Sequence, residues 1–394
     1  MSPPVKNCAG ACSPSSKELI LRILYCSQGY SPHDHRFLTA LSESDHDVFW
    51  LRLEQAGRVE EARSLPQGII PVTWRSDNRS QSFDDYQNLK NEFSEAVERI
   101  NPDIIHAGPI QRVAYLPALI DFHPLLTMSW GFDLLEDARR DERWQDVTRF
   151  VLQRSDWFTS DCRTTRDLAV EYGMDINRST IFPWGVDLQL FNPDRRGLLR
   201  RQVGYEEDLL IVHTRSWEPR YGVDVALEGF LQAYQVQPGL RMFMLGGGSQ
   251  EAMVKGFVKE KGLEDRIHFS GYKQNEALAG YYQAADVYLS ASHIDGSSVA
   301  LMEAMACACP PLVSSIPANL EWVVDAEQGW VFRDGYAGDL AQKIIHIARH
   351  RREAMEKGHL ARKTAESRAD WKKNTMVLMQ TYQDVWRYHI EQRK

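Results

Sequence analysis

Two acidic residues eight positions apart, Asp295 and Glu303, bracket the segment best suited to hold an anion. The run from Leu289 to Ala306 reads as a strand ending at Ser290, a loop, and a helix from about Ser298. The backbone N–H groups of Gly296, Ser297, Ser298 and Val299 have no partners inside such a helix, and the helix dipole favours negative charge there. Glu303 lies a little over two turns further along, on a face that can return to the same ligand. Amides on an anion with a carboxylate beyond them fit a nucleoside diphosphate and its ribose hydroxyls. An ordinary N-capped helix that happens to carry a Glu fits the same residues. Arg215 and Arg220 follow another strand, Leu209 to His213, and a guanidinium fork can hold phosphate oxygens bidentately at any working pH; surface ion pairing is the plainer use. Gly246, Gly247 and Gly248 permit close backbone approach to a ligand, and they suit any tight turn as well.

The histidines are less telling. His106 ends the strand Asp103 to Ala107, where it either faces a cleft or fills the domain. His33-Asp34-His35 could pair two metal ligands with an acid but lacks a third ligand at useful spacing, so no metal ion is expected. Asp45-His46-Asp47 precedes a strand, at the wrong end of the sheet for a ligand, and reads as a solvated turn.

These residues need elements to position them. Apolar runs at Leu19 to Cys26, Asp47 to Leu53, Asp103 to Ala107, Leu125 to Trp130, Trp157 to Ser160 and Thr180 to Phe182 alternate with helical patterns, notably Tyr86 to Ile100 and Asp141 to Arg154. The pattern restarts with Leu209 to His213, Arg241 to Leu245, Ile267 to Ser270, Asp286 to Ser290, Pro311 to Val313 and Trp330 to Phe332, again with helices between them. Strands joined by helical crossovers make parallel sheets, and two such series make two α/β domains, each doubly wound like a Rossmann fold. Ligands of open parallel sheets bind beyond the carboxyl ends of the strands, here in a cleft between domains. The expected organisation is a flexible tail over 1–17, a first domain over 18–193, a linker over 194–208 and a second domain over 209–370. A final helix, 371–394, carries Met379, Tyr382, Val385 and Trp386 near one face and must bury that stripe, for which the first domain offers a surface.

Composition sets outer limits. The 394 residues include 46 Lys plus Arg against 54 Asp plus Glu, a net charge of -8, so no global basic footprint marks a nucleic-acid partner. No apolar run approaches the roughly 18 residues that span a bilayer. The six cysteines, Cys8, Cys12, Cys26, Cys162, Cys307 and Cys309, are thinly spread and form no Cys-x-x-Cys pair. The tail has no apolar core of the signal-peptide kind, so a reduced, cytoplasmic protein is expected. The basic run Arg349, Arg351, Arg352, Lys357, Arg362 and Lys363 could make a peripheral contact with an anionic membrane, but Glu353, Glu356 and Glu366 interrupt it as they would a solvated face.

Taken together, the segments resemble the family-4 retaining glycosyltransferases of the GT-B fold, from about Leu19 to the C-terminus. The family's Glu-x7-Glu signature falls on Asp295 and Glu303 within Leu301-Met302-Glu303-Ala304-Met305-Ala306, and its Arg-x4-Lys pair on Arg215 and Arg220. Phe182-Pro183-Trp184-Gly185-Val186-Asp187, with Phe191 and Pro193, is similar to its interdomain motif, and Ile267 to Tyr272 and Tyr281 to Val287 fit as well. The resemblance implies transfer of a sugar from a nucleotide-sugar donor, with retention of anomeric configuration and no cofactor or metal ion. It implies that Glu303 binds the ribose, that Asp295 meets the transferred sugar, and that Arg215 and Arg220 neutralise the leaving diphosphate. Gly247, Gly296, Ser297, Ser298 and Val299 would then belong to the donor site.

Three departures stand out: Asp295 is one methylene shorter than the usual Glu, Arg220 replaces a Lys, and Trp130 stands where a catalytic His is expected. A subset of the family carries this Ser-Trp-Gly-x-Asp pattern, here Ser129 to Asp133. Gly29, His106, Trp130 and Asp133 are the acceptor-side candidates, and the acceptor itself could be a sugar, lipid, protein or small molecule. Competing readings are an epimerase or phosphorylase of the same fold, and a two-lobed binding protein without chemistry. A dinucleotide oxidoreductase is disfavoured because neither opening strand is followed by Gly-x-Gly-x-x-Gly.

Overall fold

Parallel strands cannot be joined by hairpins, and the helices between the apolar runs supply the crossovers they need. The computed structural model describes residues 19–53, 61–74, 83–194 and 198–394. The first sheet contains β1 (Arg22–Ser27), β2 (Asp47–Arg52), β3 (Ile70–Val72), β4 (Ile104–Ala107), β5 (Leu125–Met128), β6 (Trp157–Ser160) and β7 (Ser179–Ile181). They are parallel and run in the order β3-β2-β1-β4-β5-β6-β7. The second sheet contains β8 (Leu209–His213), β9 (Leu240–Leu245), β10 (Ile267–Gly271), β11 (Val287–Ser290), β12 (Pro311–Ser314) and β13 (Trp330–Phe332). These too are parallel, in the order β10-β9-β8-β11-β12-β13. Each sheet reverses its winding once, between β1 and β4 and between β8 and β11, and the loops after those strands flank the crevice where ligands of such sheets bind.

The chain passes between the domains twice, and the two passages lie side by side. Val186 N–H donates to Ala369 O at 2.7 Å and Trp371 N–H to Val186 O at 3.1 Å. Gly185 has φ of +72°, and a Cβ there would sit 2.8 Å from Ala369 O, so only glycine fits this close approach. Beyond the second passage, the helix Trp371–Gln392 lies against the first domain, where Leu378, Tyr382 and Val385 join a core with Leu21, Ile23 and Tyr25.

Several boundaries differ from the sequence expectation. The tail 1–17, with Cys8 and Cys12, lies outside the described residues. Within the expected linker, Leu198–Val203 forms a helix, and Leu199 and Val203 pack against the second domain's core, so this stretch belongs to that domain. The first helix begins at Pro32, where Ser31 and Asp34 form a reciprocal capping box ahead of it. Among the described residues no helix is long and apolar enough to cross a membrane. The basic run is only partly solvated: Arg362 donates to Phe191 O and Ala306 O at 2.7 and 2.6 Å, Lys357 donates to Ala326 O, and Arg351 to Glu207 O at 2.8 Å. Those three cations are spent on backbone carbonyls, which leaves Arg349, Arg352 and Lys363 exposed. Cys26, Cys162, Cys307 and Cys309 are buried free thiols.

Candidate active site

The loops after β8 and β11 meet at the second sheet's reversal point. Arg215, two residues past β8, has its Nη2 2.8 Å from the carboxylate of Asp295, and its Nη1 donates to Ser298 Oγ at 3.0 Å. Its guanidinium also lies 4.1 Å over the Tyr221 ring. Burial works against this charge, but Asp295 together with Tyr221, Tyr288 and Tyr282 outweighs it and holds the guanidinium firmly protonated, its pKa above the usual value. The Nε of Arg215 is buried with no protein partner, an unspent donor in the middle of the site. For Asp295, burial raises the pKa and the adjacent Arg215 pulls against it.

Glu303 lies one turn and a half into the helix Val299–Ala306 and is 8% exposed, lining a cleft of about 1570 Å³ between the domains. Its Oε2 accepts from Tyr282 Oη at 3.0 Å, and Thr214 in turn is 3.0 Å from that hydroxyl. Burial lifts its pKa from the ordinary 4.5 to about 7, against the pull of the Arg36 guanidinium, the Tyr282 hydroxyl and Arg215. Val299, Gly247 and Arg220 line the same cleft. A Cβ on Gly247 would meet nothing within 4 Å, so in the empty cleft its lack of a side chain only leaves room.

The expected row of free amides is partly occupied. Ser298 caps the helix, and the Ser297 N–H donates to Asp161 Oδ2 at 2.9 Å, a carboxylate of the first domain just after β6. Ser297 Oγ donates to Asp161 O at 2.8 Å, and Trp322 Nε1 donates to Ser297 Oγ at 2.9 Å. Gly296 and Ser297 are buried under this contact, and a Cβ on Gly131 of the first domain would come within 3.1 Å of Gly296 N. Burial, helped by the nearby Asp295 charge, raises Asp161 to about 7 although the Ser297 amide favours its charged form. Arg220 is likewise engaged, its Nη1 2.9 Å from Glu136 of the first domain.

On the acceptor side two candidates turn out to be structural. His106 is fully buried; its Nδ1 is 2.6 Å from Tyr382 Oη on the C-terminal helix, which covers the end of β4, and burial alone lowers its pKa to about 3. Asp133 is also fully buried, accepting from Ser129 Oγ at 2.7 Å and from the amides of Ile110, Trp130 and Leu134, each at 3.1 Å. It shapes the turn that ends β5 at Met128, short of the expected Trp130, and is not among the residues that line the cleft. Gly29 lies in the loop after β1, its carbonyl accepting from Ser27 Oγ at 2.7 Å. Trp130 is half-buried and packs on His33, with ring centroids 5.5 Å apart, and on Trp184.

The sequence reading underrated His33, which lines the cleft and faces Arg36 and Arg215; burial and those two cations push its pKa to about 3, so it is a neutral acceptor at pH 7. It also missed Arg36, whose Nη1 donates to Gly185 O at 2.5 Å, and Asp161 and Tyr282. A signal for His33 and Arg36 did exist: both follow the strand at the first sheet's reversal point. Tyr282 enters the sequence reading only as part of the run Tyr281 to Val287, and Asp161 carries no signal.

Known proteins with this arrangement can now be set beside it. Residues 196–375 match the family model Glycosyl transferases group 1, and residues 29–190 match Glycosyltransferase Family 4. A D-inositol 3-phosphate glycosyltransferase of Thermomonospora curvata is 32% identical over 213 residues, 50% of this chain and 48% of that protein. A mannosylfructose-phosphate synthase of Agrobacterium fabrum is 29% identical over 158 residues, 37% of this chain and 35% of that protein. The matched stretches thus span half or less of these relatives' length. Among solved structures, a sucrose-phosphate synthase from Thermosynechococcus elongatus superposes with a TM-score of 0.78 over 92% of this chain and 98% of its own, at 18% identity. Anabaena HepE in complex with UDP-glucose gives 0.76 over 92% and 100%, at 16% identity. At such identities the likeness is one of fold.

Proposed function

We propose that the chain is a GT-B glycosyltransferase, in keeping with the two family models that match its two halves, and that it transfers a hexose from a nucleoside-diphosphate sugar to an acceptor hydroxyl with retention of configuration. The observation that carries this reading is that a buried cleft carboxylate, Glu303, on the helix after β11, and a largely buried guanidinium, Arg215, on the loop after β8, converge at one reversal point, close enough for Arg215 to act on the carboxylate's charge. Glu303 takes the ribose hydroxyls, and Arg215 and Arg220 take the diphosphate. Asp295, held beside Arg215, takes the sugar. In the transfer, the anomeric C–O bond to the diphosphate breaks, the acceptor oxygen bonds the same face of that carbon, and the acceptor proton leaves on the diphosphate. Both guanidiniums act on the negative charge that builds on the departing group, and loss of one such partner costs on the order of a hundredfold in rate. Binding and transfer need no metal ion on this reading, because the cations beside the diphosphate are side chains.

The test is a panel of UDP-, GDP- and ADP-sugars, scored by thermal stabilisation and by slow hydrolysis without acceptor. One donor should raise Tm, Glu303→Ala should abolish the rise, and EDTA should leave it intact. A protein indifferent to every donor defeats the assignment, and an inverted product by NMR defeats retention alone.

A further inference from the structure

We propose that His346, His350 and Glu353 form a divalent transition-metal site, of the kind that takes Zn²⁺ or Co²⁺, at the corner between the helices Ala337–Arg349 and Arg351–Arg368. One ligand atom from each of the three lies within 4.8 Å of the other two. His346 and His350 are one helical turn apart, so their rings stack with centroids 4.3 Å apart at an interplanar angle of 25°. Glu353 arrives from the start of the next helix, its Oε2 3.0 Å from His346 Nε2. Two imidazoles and one carboxylate are the donor set of many three-ligand zinc centres, with water completing the tetrahedron.

The surroundings prepare these groups for a metal. His350 Nδ1 lies 2.8 Å from His346 O, and a ring that donates there carries its proton on Nδ1 and leaves Nε2 as a bare lone pair. Fixing the tautomer through the other ring nitrogen is what an outer-sphere partner does for a metal-bound His. The other oxygen of Glu353, Oε1, has its own cation, Lys357 Nζ at 3.4 Å, which leaves Oε2 turned toward His346.

Metal–ligand bonds of 2.0–2.2 Å place tetrahedral ligands about 3.4 Å apart, so the cluster must contract by roughly 1.4 Å. His350 is exposed and is the single residue joining the two helices, so it is free to turn inward. The site is separate from the cleft, and none of its three side chains lines that cavity. A bound ion would pin the corner from which the helix Arg351–Arg368 runs to the second interdomain passage at Ala369.

The test uses the full chain without a histidine tag, stripped with EDTA and dialysed. Titration with Co²⁺, read by its visible absorption, should saturate at one equivalent, with the band of tetrahedral rather than aqueous cobalt, and Zn²⁺ should displace it. His350→Ala should weaken binding at least tenfold, and Glu353→Gln likewise, while far-UV circular dichroism stays unchanged. Saturating Zn²⁺ should raise the Tm of the wild type and leave that of His350→Ala unmoved. A wild type that shows no saturable binding overturns the proposal, and so does binding that survives intact in both variants.

Discussion

Glu303→Gln offers the sharpest test of the donor site, because the residue's ionisation is tuned into the experimental range. Its carboxyl titrates near 7 in the empty cleft. A ribose hydroxyl is a donor, and a carboxylate accepts from it more strongly than a carboxylic acid does, by roughly 1–2 kcal/mol. If the donor selects the charged form, the observed Kd scales as one plus the ratio of protonated to charged carboxyl. From pH 8 to pH 6 that factor grows about tenfold, or ~1.4 kcal/mol. A nucleotide sugar suits the assay better than a free nucleotide, since its phosphates are both esterified and do not titrate between these values. His33, at about 3, and His213, at about 4, stay neutral throughout the window.

Calorimetry at pH 6, 7 and 8 in two buffers of different ionisation enthalpy measures the slope and the protons released together. The wild type should bind about tenfold more tightly at pH 8 than at pH 6, releasing a fraction of a proton near pH 7. Glu303→Gln should bind at least tenfold more weakly at pH 8 and lose most of the slope. The sign for stability runs the other way. An acid whose folded pKa is raised contributes stability that is present in full below its unfolded pKa, about 4.5, and is lost as pH rises through 7. The empty wild type should therefore be less stable at pH 8 than at pH 5, by up to ~3 kcal/mol from this group, and Glu303→Gln should flatten that trend. A wild-type Kd that ignores pH, or a slope unchanged in the variant, refutes the placement of the ribose on this carboxylate.

Other perturbations probe neighbouring groups. Arg215→Lys keeps the charge and loses the fork, so transfer should slow on the order of a hundredfold while the free nucleoside binds as before; equal losses for nucleoside and nucleotide sugar remove the phosphate role. Asp161→Asn keeps an oxygen for the Ser297 amide and discards a buried charge, so its stability relative to wild type should rise between about pH 4 and pH 7 and level off above; a difference that does not vary with pH contradicts the raised pKa. Tyr382→Phe strands the Nδ1 of buried His106 and should cost about 1–3 kcal/mol in urea unfolding with KM unchanged; a raised KM at full stability would restore His106 to the acceptor site.

The sheets were legible because buried parallel strands leave a plain mark: short apolar runs spaced by helices. β3 escaped because its Ile70-Pro71-Val72 is a three-residue edge strand, where Pro is tolerated and burial is slight. The boundary at Met128 escaped because the buried Asp133 carboxylate accepts from the Ser129 hydroxyl and the Trp130 amide and turns the chain out of the sheet there. Local spacing likewise disclosed Asp295 with Glu303 and Arg215 with Arg220, which share a loop or a helix. It could not disclose Tyr282 under Glu303, 21 residues away, or Asp161 on Ser297, 136 residues away. Such partners are set by the crossing of elements, and no sequence window contains both members. His106 misled for the same reason: nothing near β4 in the chain reveals that a helix 276 residues later covers it.

Those distant partners share a chemical sense. Each group suited to a diphosphate already faces a carboxylate: Arg215 has Asp295, Arg220 has Glu136 and the Ser297 amide has Asp161. For a buried guanidinium this is a necessity, since an unpaired charge at such depth costs several kcal/mol, and Asp295 is the partner fixed on the same domain. Glu136 and Asp161 belong to the other domain. A diphosphate settling on Arg220 or the Ser297 amide would take over contacts that hold the two domains together, and its own two charges would repel the carboxylates it displaced. The third bridge, from Glu321 to the amides of Arg163 and Thr164 at 3.0 and 2.9 Å, lies outside the cleft lining and is untouched by any such exchange. On the proposed reading, donor binding would be coupled by electrostatics to the contacts between the domains, while the Glu321 contact and the paired passages at Val186 and Ala369 would stay in place.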